Sequence, residues 1–306
     1  MKEKVDWEGS SREMASVHLA ILQLTLLWVV EASIVNINTF PLAKDGCEDP
    51  CGNVRIPYPF GTREGCYYND SFLITCNHTY NPPLAFLTDS NINVTDIWLW
   101  GEMRIYAFVA HDCYNSTGGS VYNNHSTLQL GNFPISNTRN KFTAIGCDTN
   151  AVINGSKGTR YTTGCMSVCD STRAVVEGSC SGIGCCETAI PTGVVDFNIS
   201  VLSYYNHVSV WDFNPCSYAF MAEERAYNFS TRDLLDLKGN KIPMVLNWAI
   251  GDQNCNEAKE GLESYACMAN SECHDSNNGP GYQCSCSKGY QGNPYLKDGC
   301  QGCHFT

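Results

Sequence analysis

Cysteine content is the feature of this sequence that most constrains its fold, because the chain of 306 residues contains 19 cysteines. A chain so rich in thiols suits an oxidising compartment, where disulfide bonds persist, better than the reducing cytosol. The cysteines form two blocks separated by the cysteine-free residues 217–254, so we predict two disulfide-rich domains with a boundary in that gap. The first block contains Cys47, Cys51, Cys66, Cys76, Cys113, Cys147, Cys165, Cys169, Cys180, Cys185, Cys186 and Cys216, and the second contains Cys255, Cys267, Cys273, Cys284, Cys286, Cys300 and Cys303.

The first block has an even number of cysteines, so disulfide bonds can use all of them, but spacing alone does not determine the pairs. Zinc coordination is the alternative use of clustered cysteines. The adjacent Cys185 and Cys186 form a poor tetrahedral chelator, and no nearby histidine has the spacing of a zinc finger. Disulfide bonds are therefore expected, and no metal site is predicted.

The amino-terminal segment indicates secretion. Residues 17–30 form an apolar run that is short for a membrane-spanning helix and typical of the core of a signal peptide. We expect a signal peptide over residues 1–32 with cleavage after Ala32; Met14 is an alternative start, and a buried core helix is the alternative structure. No later run of 18 apolar residues occurs, so no membrane span is expected in the mature chain.

Sequons for N-glycosylation agree with this interpretation, because glycans are added in the secretory pathway. All of them precede Cys255, so the second cysteine block differs in character from the first. The sequence predicts glycosylation at Asn69, Asn77, Asn93, Asn115, Asn124, Asn154, Asn198 and Asn228.

Charge and motif content argue against two classes of function. The chain carries 31 acidic and 19 basic side chains, a formal net charge of −12, whereas nucleic-acid-binding proteins are basic. The sequence contains no G-x-S-x-G or H-E-x-x-H motif, and Cys180 occupies the nucleophile position of Gly178-Ser-Cys-Ser-Gly182. We therefore expect no catalytic site, no cofactor and no nucleic-acid partner.

Local patterns predict a mainly β structure. Apolar and polar side chains alternate over residues 195–201, which predicts a half-buried strand with Asn198 on its solvent face. The apolar run at 208–213 is expected to be a further extended segment. Aromatic-rich runs at 97–100 and 103–109 flank Gly101-Glu102 and predict a β-hairpin. A capping-box pattern from Ser230 to Asp233 predicts one short helix.

The second cysteine block resembles an EGF-like module. The resemblance rests on the C-x-C motif at Cys284-Ser-Cys286 and on the Gly289-Tyr290 that follows it. The resemblance implies three disulfide bonds, leaves Cys303 without an evident partner, and has another small disulfide knot as its alternative. The implied pairs are Cys255–Cys273, Cys267–Cys284 and Cys286–Cys300.

Residues 46–302 as a whole resemble the extracellular part of plant wall-associated receptor kinases. The motifs on which this resemblance rests are Cys51-Gly-Asn-Val-Arg-Ile-Pro-Tyr-Pro-Phe-Gly61, Tyr161-Thr-Thr-Gly-Cys165 with Gly184-Cys-Cys186, and Asn247-Trp-Ala-Ile250 leading into the EGF-like module. The resemblance implies a disulfide-rich all-β galacturonan-binding-like domain at 46–216, a connecting segment at 217–250, and an EGF-like module at 255–300. It implies residence in the cell wall or at the outer face of the plasma membrane.

The family's full receptors continue into a membrane helix and a kinase, whereas this sequence ends at 301–306 and contains no kinase signature. A truncated receptor is slightly favoured over a true secreted relative, and both remain open.

The resemblance implies non-catalytic binding of homogalacturonan, the carboxylate-rich polysaccharide of pectin. Basic side chains pair with carboxylates, and aromatic rings stack on sugar faces. The net charge opposes such binding, so the basic cluster between residues 138 and 173 and the residues around the Pro-Tyr-Pro-Phe motif are the candidates. They are Arg55, Arg63, Arg139, Lys141, Lys157, Arg160 and Arg173 with the aromatic Tyr58, Trp98 and Trp100.

Each candidate also has a structural interpretation. Tyr58 and the tryptophans are expected to pack in the core, and the arginines to be solvated. The alternative function is a protein–protein interaction ectodomain, with a peptide or co-receptor as partner and no direct glycan binding. Calcium in the EGF-like module would require Asp252, Asn254 and Asp275 as ligands. No glutamate directly precedes Cys255, so one carboxylate ligand is missing, and these three residues are expected to be solvated surface residues.

Overall fold

A computed structural model describes residues 40–47, 50–88, 90–157, 160–239, 241–261 and 265–302. The predicted signal peptide at 1–32 and Cys303 lie outside these described residues. The chain divides after Phe40, and the description below concerns the unit Pro41–Thr306.

The described residues form 20 β-strands, one α-helix and three short 3-10 helices. The strands are β1 (Pro50–Cys51), β2 (Val54–Arg55), β3 (Ile74–Asn77), β4 (Leu84–Leu87), β5 (Asn93–Trp98), β6 (Glu102–Phe108), β7 (Ala110–Tyr114), β8 (Ser120–Asn124), β9 (Ser126–Gln129), β10 (Asn140–Gly146), β11 (Asp148–Gly155), β12 (Tyr161–Val168), β13 (Ser181–Thr188), β14 (Asp196–Leu202), β15 (Cys216–Glu223), β16 (Lys241–Asn247), β17 (Ser271–Asp275), β18 (Tyr282–Cys286), β19 (Tyr290–Gly292) and β20 (Cys300–Gly302). The helix α1 covers Cys255–Glu260, and the 3-10 helices cover Asp70–Phe72, Thr172–Ala174 and Thr231–Leu234.

Three antiparallel sheets form most of the structure. Their strand orders are β13-β10-β15-β7-β8, β12-β11-β14-β9 and β16-β6-β5-β4-β3. Three two-stranded sheets, β1-β2, β17-β18 and β19-β20, complete the described strands. The mainly β fold predicted from the sequence is confirmed.

Alternation of apolar and polar side chains explains why individual strands form where they do. In β14, Phe197, Ile199 and Val201 are buried and Asn198 is exposed, which confirms the predicted half-buried strand. The predicted hairpin is also present, since β5 pairs with β6 across a turn at Gly101, whose φ of 90° suits glycine.

Residues 208–213, expected to be extended, form consecutive turns instead. The buried carboxylate of Asp148 accepts hydrogen bonds from the backbone N–H groups of Tyr204, Tyr205 and His207, at 2.9 to 3.2 Å. Those bonds hold residues 204–207 in a turn just before the apolar run. The turn continues into the run, where the Val210 N–H bonds to the His207 carbonyl at 3.0 Å. A local apolar pattern could not reveal this distant carboxylate.

The predicted helix at Ser230 is a single 3-10 turn with the expected capping box. The Ser230 side chain caps the turn, and the Asp233 carboxylate accepts the backbone N–H of Ser230 at 3.0 Å. Leu234 is buried, so the turn anchors this stretch of chain to the core.

Disulfide bonds use all twelve cysteines of the first block and link both neighbouring and separate strands. Cys113–Cys216 joins the paired strands β7 and β15, whereas Cys165–Cys186 ties β12 of one sheet to β13 of another. The remaining bonds of this block are Cys47–Cys66, Cys51–Cys76, Cys147–Cys169 and Cys180–Cys185.

The second block has the three pairs that the EGF-like resemblance implies, Cys255–Cys273, Cys267–Cys284 and Cys286–Cys300. This module shares a core with the sheets before it. The indole of Trp248 is fully buried, with its ring 5.3 Å from Phe60 and 5.6 Å from Tyr295 of the module. Ile250 also pairs with Tyr282 through two backbone hydrogen bonds.

The segment 217–250, expected to be a connection, supplies two strands of the large sheets. Strand β15 lies third in its five-stranded sheet, and nearly all of its residues are buried. Strand β16 forms an edge next to β6, a place that tolerates Pro243. The sequence does not reveal β15 because a strand buried on both faces lacks the alternation of apolar and polar side chains.

Candidate functional site

The hairpin of β5 and β6 presents two stacked tryptophans at its tip. Trp98 ends β5, and Trp100 lies in the turn. Their rings are 5.4 Å apart and inclined by only 12°. Trp98 is half-buried, whereas Trp100 is 62% exposed, which is unusual for so large an apolar side chain. The stack therefore offers an open aromatic surface to solvent.

Two arginines lie against this stack. The Arg104 guanidinium lies over the Trp98 ring, with its Cζ 4.9 Å from the ring centroid. It forms ion pairs of 3.0 Å with Asp96 and 2.7 Å with Glu223. The side chain of Glu223 is only 7% exposed, so this pairing fixes Arg104 in place.

Glu102 links the aromatic stack to the second arginine. Its Oε2 accepts the indole N–H of Trp100 at 3.0 Å and Arg139 Nη1 at 2.7 Å. Arg139 Nη2 also donates to Glu223 at 2.7 Å, yet the Arg139 side chain remains 40% exposed. We call Trp98, Trp100, Glu102, Arg104 and Arg139 the tryptophan platform.

Glu223 and Arg104 hold each other in their ionised forms. Burial disfavours the ionised form of Glu223, but hydrogen bonds and charges from Arg104 and Arg139 outweigh it and hold the Glu223 pKa below its usual value. The hydrogen bond to Glu223 is the main reason that the Arg104 pKa is raised. These ion pairs give the platform a rigid base.

The turn of the hairpin contacts Trp248, which precedes the EGF-like module, and Gln283 of the module. The Gly101 carbonyl accepts the Trp248 backbone N–H at 2.9 Å, and Gln283 Nε2 donates to the Trp248 carbonyl at 2.8 Å. A Cβ atom at Gly101 would displace the end of the Gln283 side chain, and the φ of 90° favours glycine at this position.

The part of the chain that contains the β5–β6 hairpin matches a known protein family. Residues 47–106, which include both tryptophans, match the family model described as wall-associated receptor kinase galacturonan-binding. The chain is 40% identical over 260 residues to wall-associated receptor kinase 2 of Arabidopsis thaliana, covering 83% of this chain and 34% of that protein. The chain is a homologue of the wall-associated receptor kinases.

Two further wall-associated receptor kinases from Arabidopsis thaliana are similar to this chain over most of its length. Wall-associated receptor kinase 5 is 37% identical over 291 residues, covering 93% of this chain and 38% of the relative. Wall-associated receptor kinase 1 is 36% identical over 263 residues, covering 84% and 34% respectively. The chain thus spans about a third of the length of these receptor kinases. No solved structure matches it.

Three of the ten sequence-predicted binding residues meet in the platform: Trp98, Trp100 and Arg139. Arg104 was missed because a single arginine in a strand has no distinguishing pattern. Glu102 and Glu223 have no signal in the sequence as ligands of a polyanion, because they are acidic and act through Arg104 and Arg139. Alternation along β6 places Glu102 and Arg104 on one face of the strand, and that is the signal that could have found them.

The other predicted residues of this receptor kinase homologue lie elsewhere. Tyr58 is buried, and Lys44 Nζ lies 4.4 Å from the centre of its ring. Arg63 donates to the Gly46 carbonyl and so braces the amino-terminal loop. Arg55 is exposed on β2.

The basic cluster of residues 138–173 is distributed over several elements. Lys141 is a half-buried residue of β10, close to Glu187 and Glu223 in a shared cavity. Lys157 Nζ donates to Gln129 at 2.9 Å, and Arg160 directly precedes β12. Arg173 is exposed in the 3-10 helix Thr172–Ala174.

Two of the three residues considered for calcium make hydrogen bonds within the module. Asp275 Oδ1 accepts the Cys255 backbone N–H at 2.7 Å, and Asn254 Oδ1 caps α1 at 3.0 Å. Asp252 is exposed. Among the described residues, no three His, Cys, Asp or Glu side chains are grouped so that they could hold a metal ion.

The part of the chain that the structure describes contains no helix with the length and apolar character needed to cross a bilayer. All eight sequon asparagines are exposed or half-buried.

Proposed function

We propose that this chain is the extracellular recognition region of a wall-associated receptor kinase-like protein, and that it binds pectin without catalysis. Homogalacturonan and its oligogalacturonides are the proposed ligands. The observation that carries the proposal is the exposed Trp100, stacked on Trp98 and hydrogen-bonded to the Glu102 that also holds Arg139. An aromatic surface of fixed orientation beside a partly exposed guanidinium suits a ring-shaped sugar that bears a carboxylate.

Preorganisation is the physical basis of the proposed affinity. Trp100 is fixed by ring stacking and by one hydrogen bond, so little side-chain entropy is lost when a sugar packs on it. Arg139 has guanidinium N–H groups beyond those bonded to Glu102 and Glu223, and its side chain is 40% exposed, so a uronate carboxylate can approach it. The other predicted basic residues, at positions 55, 63, 141, 157, 160 and 173, are proposed to attract the polyanion over longer range.

The proposal is tested by comparing two tryptophan variants of the full chain. Trp100→Ala is expected to weaken oligogalacturonide binding about tenfold, since loss of an aromatic stacking surface costs on the order of 1.4 kcal/mol. Trp211→Ala is the matched control, because Trp211 is also exposed and its indole N–H is also bonded, to the Tyr114 carbonyl at 2.9 Å. Equal affinities for the wild type and Trp100→Ala would refute the platform as the pectin site.

A protein partner is the second candidate, and a specific surface favours it. Met166, Leu202 and Tyr205 are all more than half exposed, and Met166 and Leu202 flank Asn150 on adjacent strands. Exposed methionine and aromatic side chains are typical of protein interfaces. Salt separates the two functions: carboxylate pairing at the platform weakens as ionic strength rises, whereas an apolar interface changes little.

A further inference from the structure

A concave surface lies beside β3 and β4, in the same sheet as the hairpin of β5 and β6. It is a groove with a volume of about 790 Å³, bordered by β3, β4 and β9. Its lining consists mainly of amide, hydroxyl and aromatic side chains, including Asn77, Tyr80, Phe86, Asn91, Thr127 and Gln129. Such a lining is suited to neutral sugars, which offer hydroxyl groups and apolar ring faces.

One glycosylation sequon opens directly into this groove. Asn77 begins the sequon Asn77-His-Thr79 and ends strand β3. The register pairs Asn77 with Leu84 and Thr75 with Phe86, so Asn77 and Phe86 lie diagonally across the same face of the sheet. Tyr80, which is 49% exposed, has its ring 6.2 Å from that of Phe86. An aromatic pair therefore lines the same groove as Asn77.

Hydrogen bonding leaves the reactive atom of Asn77 available. Its Oδ1 accepts both the backbone N–H of Thr79 at 2.9 Å and the Thr79 hydroxyl at 2.7 Å. Its Nδ2, the atom that N-glycosylation modifies, has no hydrogen-bond partner among the described residues. Asn93 on the neighbouring β5 differs, since its Nδ2 donates to the Ala85 carbonyl at 2.9 Å and it does not line the groove.

We propose that Asn77 carries an N-glycan whose first N-acetylglucosamine packs on Phe86 and Tyr80 and fills the mouth of the groove. In the attachment step a lipid pyrophosphate-linked oligosaccharide is the donor. The bond from its C1 to the pyrophosphate oxygen breaks, the bond from Asn77 Nδ2 to C1 forms, and Nδ2 gives up one proton as the lipid pyrophosphate leaves.

The attached sugar has a structural role in this proposal. Packing of its apolar ring face on two aromatic side chains removes apolar area from water, so the glycan stabilises the β3–β4 edge of the sheet. It also covers the groove, which is then closed to an external polysaccharide. The inference is independent of pectin binding by the tryptophan platform.

Site occupancy is the first test. The full chain is expressed in a eukaryotic secretory system that makes high-mannose glycans, and chymotryptic glycopeptides are analysed by mass spectrometry. Asn77 is expected to be modified in the wild type and in Thr79→Ser, which retains the sequon, and unmodified in Thr79→Ala. An unmodified Asn77 in the secreted wild type would overturn the inference.

Thermal unfolding tests the packing. Trimming the glycans to single N-acetylglucosamine residues is expected to leave the melting temperature unchanged, because the first sugar makes the contacts. Asn77→Gln is expected to lower it by about 2–4 °C, the shift that corresponds to about 1 kcal/mol for a protein of 150–250 residues. Phe86→Ala should make the protein insensitive to a further Asn77→Gln substitution.

Asn115→Gln is the matched control, since Asn115 Oδ1 accepts the same two bonds from Thr117, at 3.0 and 2.8 Å, but does not line the groove. Its melting temperature is expected to stay within about 1 °C of the wild type, a change of less than about 0.5 kcal/mol. An equal shift in Asn77→Gln and Asn115→Gln, or full loss of the stabilisation on trimming to one sugar, would overturn the packing.

Discussion

The buried amide of Asn293 gives the sharpest stability prediction, because it joins the EGF-like module to the start of the preceding domain. Asn293 is fully buried. Its Nδ2 donates to the backbone carbonyls of Leu42 and Tyr58, both at 2.7 Å, and its Oδ1 accepts the Tyr295 N–H at 3.0 Å. One side chain thus satisfies three backbone groups from three parts of the chain.

The size of the effect follows from these three bonds. In Asn293→Ala the Tyr58 carbonyl and the Tyr295 N–H group lose this partner inside the protein, whereas the half-buried Leu42 carbonyl still accepts the Tyr58 N–H at 2.9 Å. Each net hydrogen bond contributes about 0.5–1.5 kcal/mol, and an unsatisfied buried group costs about 1–3 kcal/mol. We expect the free energy of unfolding to fall by about 3 kcal/mol, a large part of the roughly 5–15 kcal/mol typical of a domain.

The assay is thermal unfolding of the oxidised protein, followed by circular dichroism. At about 2–4 °C per kcal/mol, Asn293→Ala should melt about 6–12 °C below the wild type. Asn53→Ala is the control, because Asn53 is exposed in the turn between β1 and β2, and it should change stability by less than about 0.5 kcal/mol. A loss of less than about 1 kcal/mol in Asn293→Ala would refute the joining role of this amide.

Three other results are expected. Trp248→Phe should lower stability by about 2 kcal/mol in denaturant titration, because the indole N–H bonds to two backbone carbonyls, at 3.1 and 3.2 Å, and the smaller ring leaves a cavity. Burial lowers the pKa of His207, so the unfolded chain binds a proton near pH 6.5 that the folded protein resists. Stability should therefore be highest above pH 6.5 and fall by up to about 1.4 kcal/mol per unit as pH decreases below it; a constant melting temperature between pH 7.5 and 5 would contradict this. Arg139→Glu combined with Arg160→Glu should weaken pectin binding and reduce its salt dependence, and unchanged affinity in a titration would remove these arginines from the site.

Several elements could be predicted from the sequence because their signals are local. The strand at 195–201, the hairpin around Gly101 and the capping box at Ser230 each depend on residues within one short stretch. The three disulfide bonds of the EGF-like module are the pairs that its resemblance to such modules implies.

The remaining features depend on contacts between distant residues. Arg104 and Glu223 are separated by 119 positions, so their ion pair beneath Trp98 could not be inferred from spacing. The same holds for the buried carboxylate of Asp148, which gathers residues 204–207 into turns. A basic residue is recognisable in a sequence, but its partner is determined only by the packing of the sheets.

Calorimetric titration of the secreted chain with an oligogalacturonide of defined length tests the central claim most directly. Titrations at low and high salt, each with calcium or with a chelator, separate direct carboxylate pairing from bridging by a cation. The account predicts saturable binding without calcium that weakens as salt increases and is lost in large part in Trp100→Ala. Absence of binding under all four conditions, from correctly oxidised protein, would contradict it and favour a protein partner.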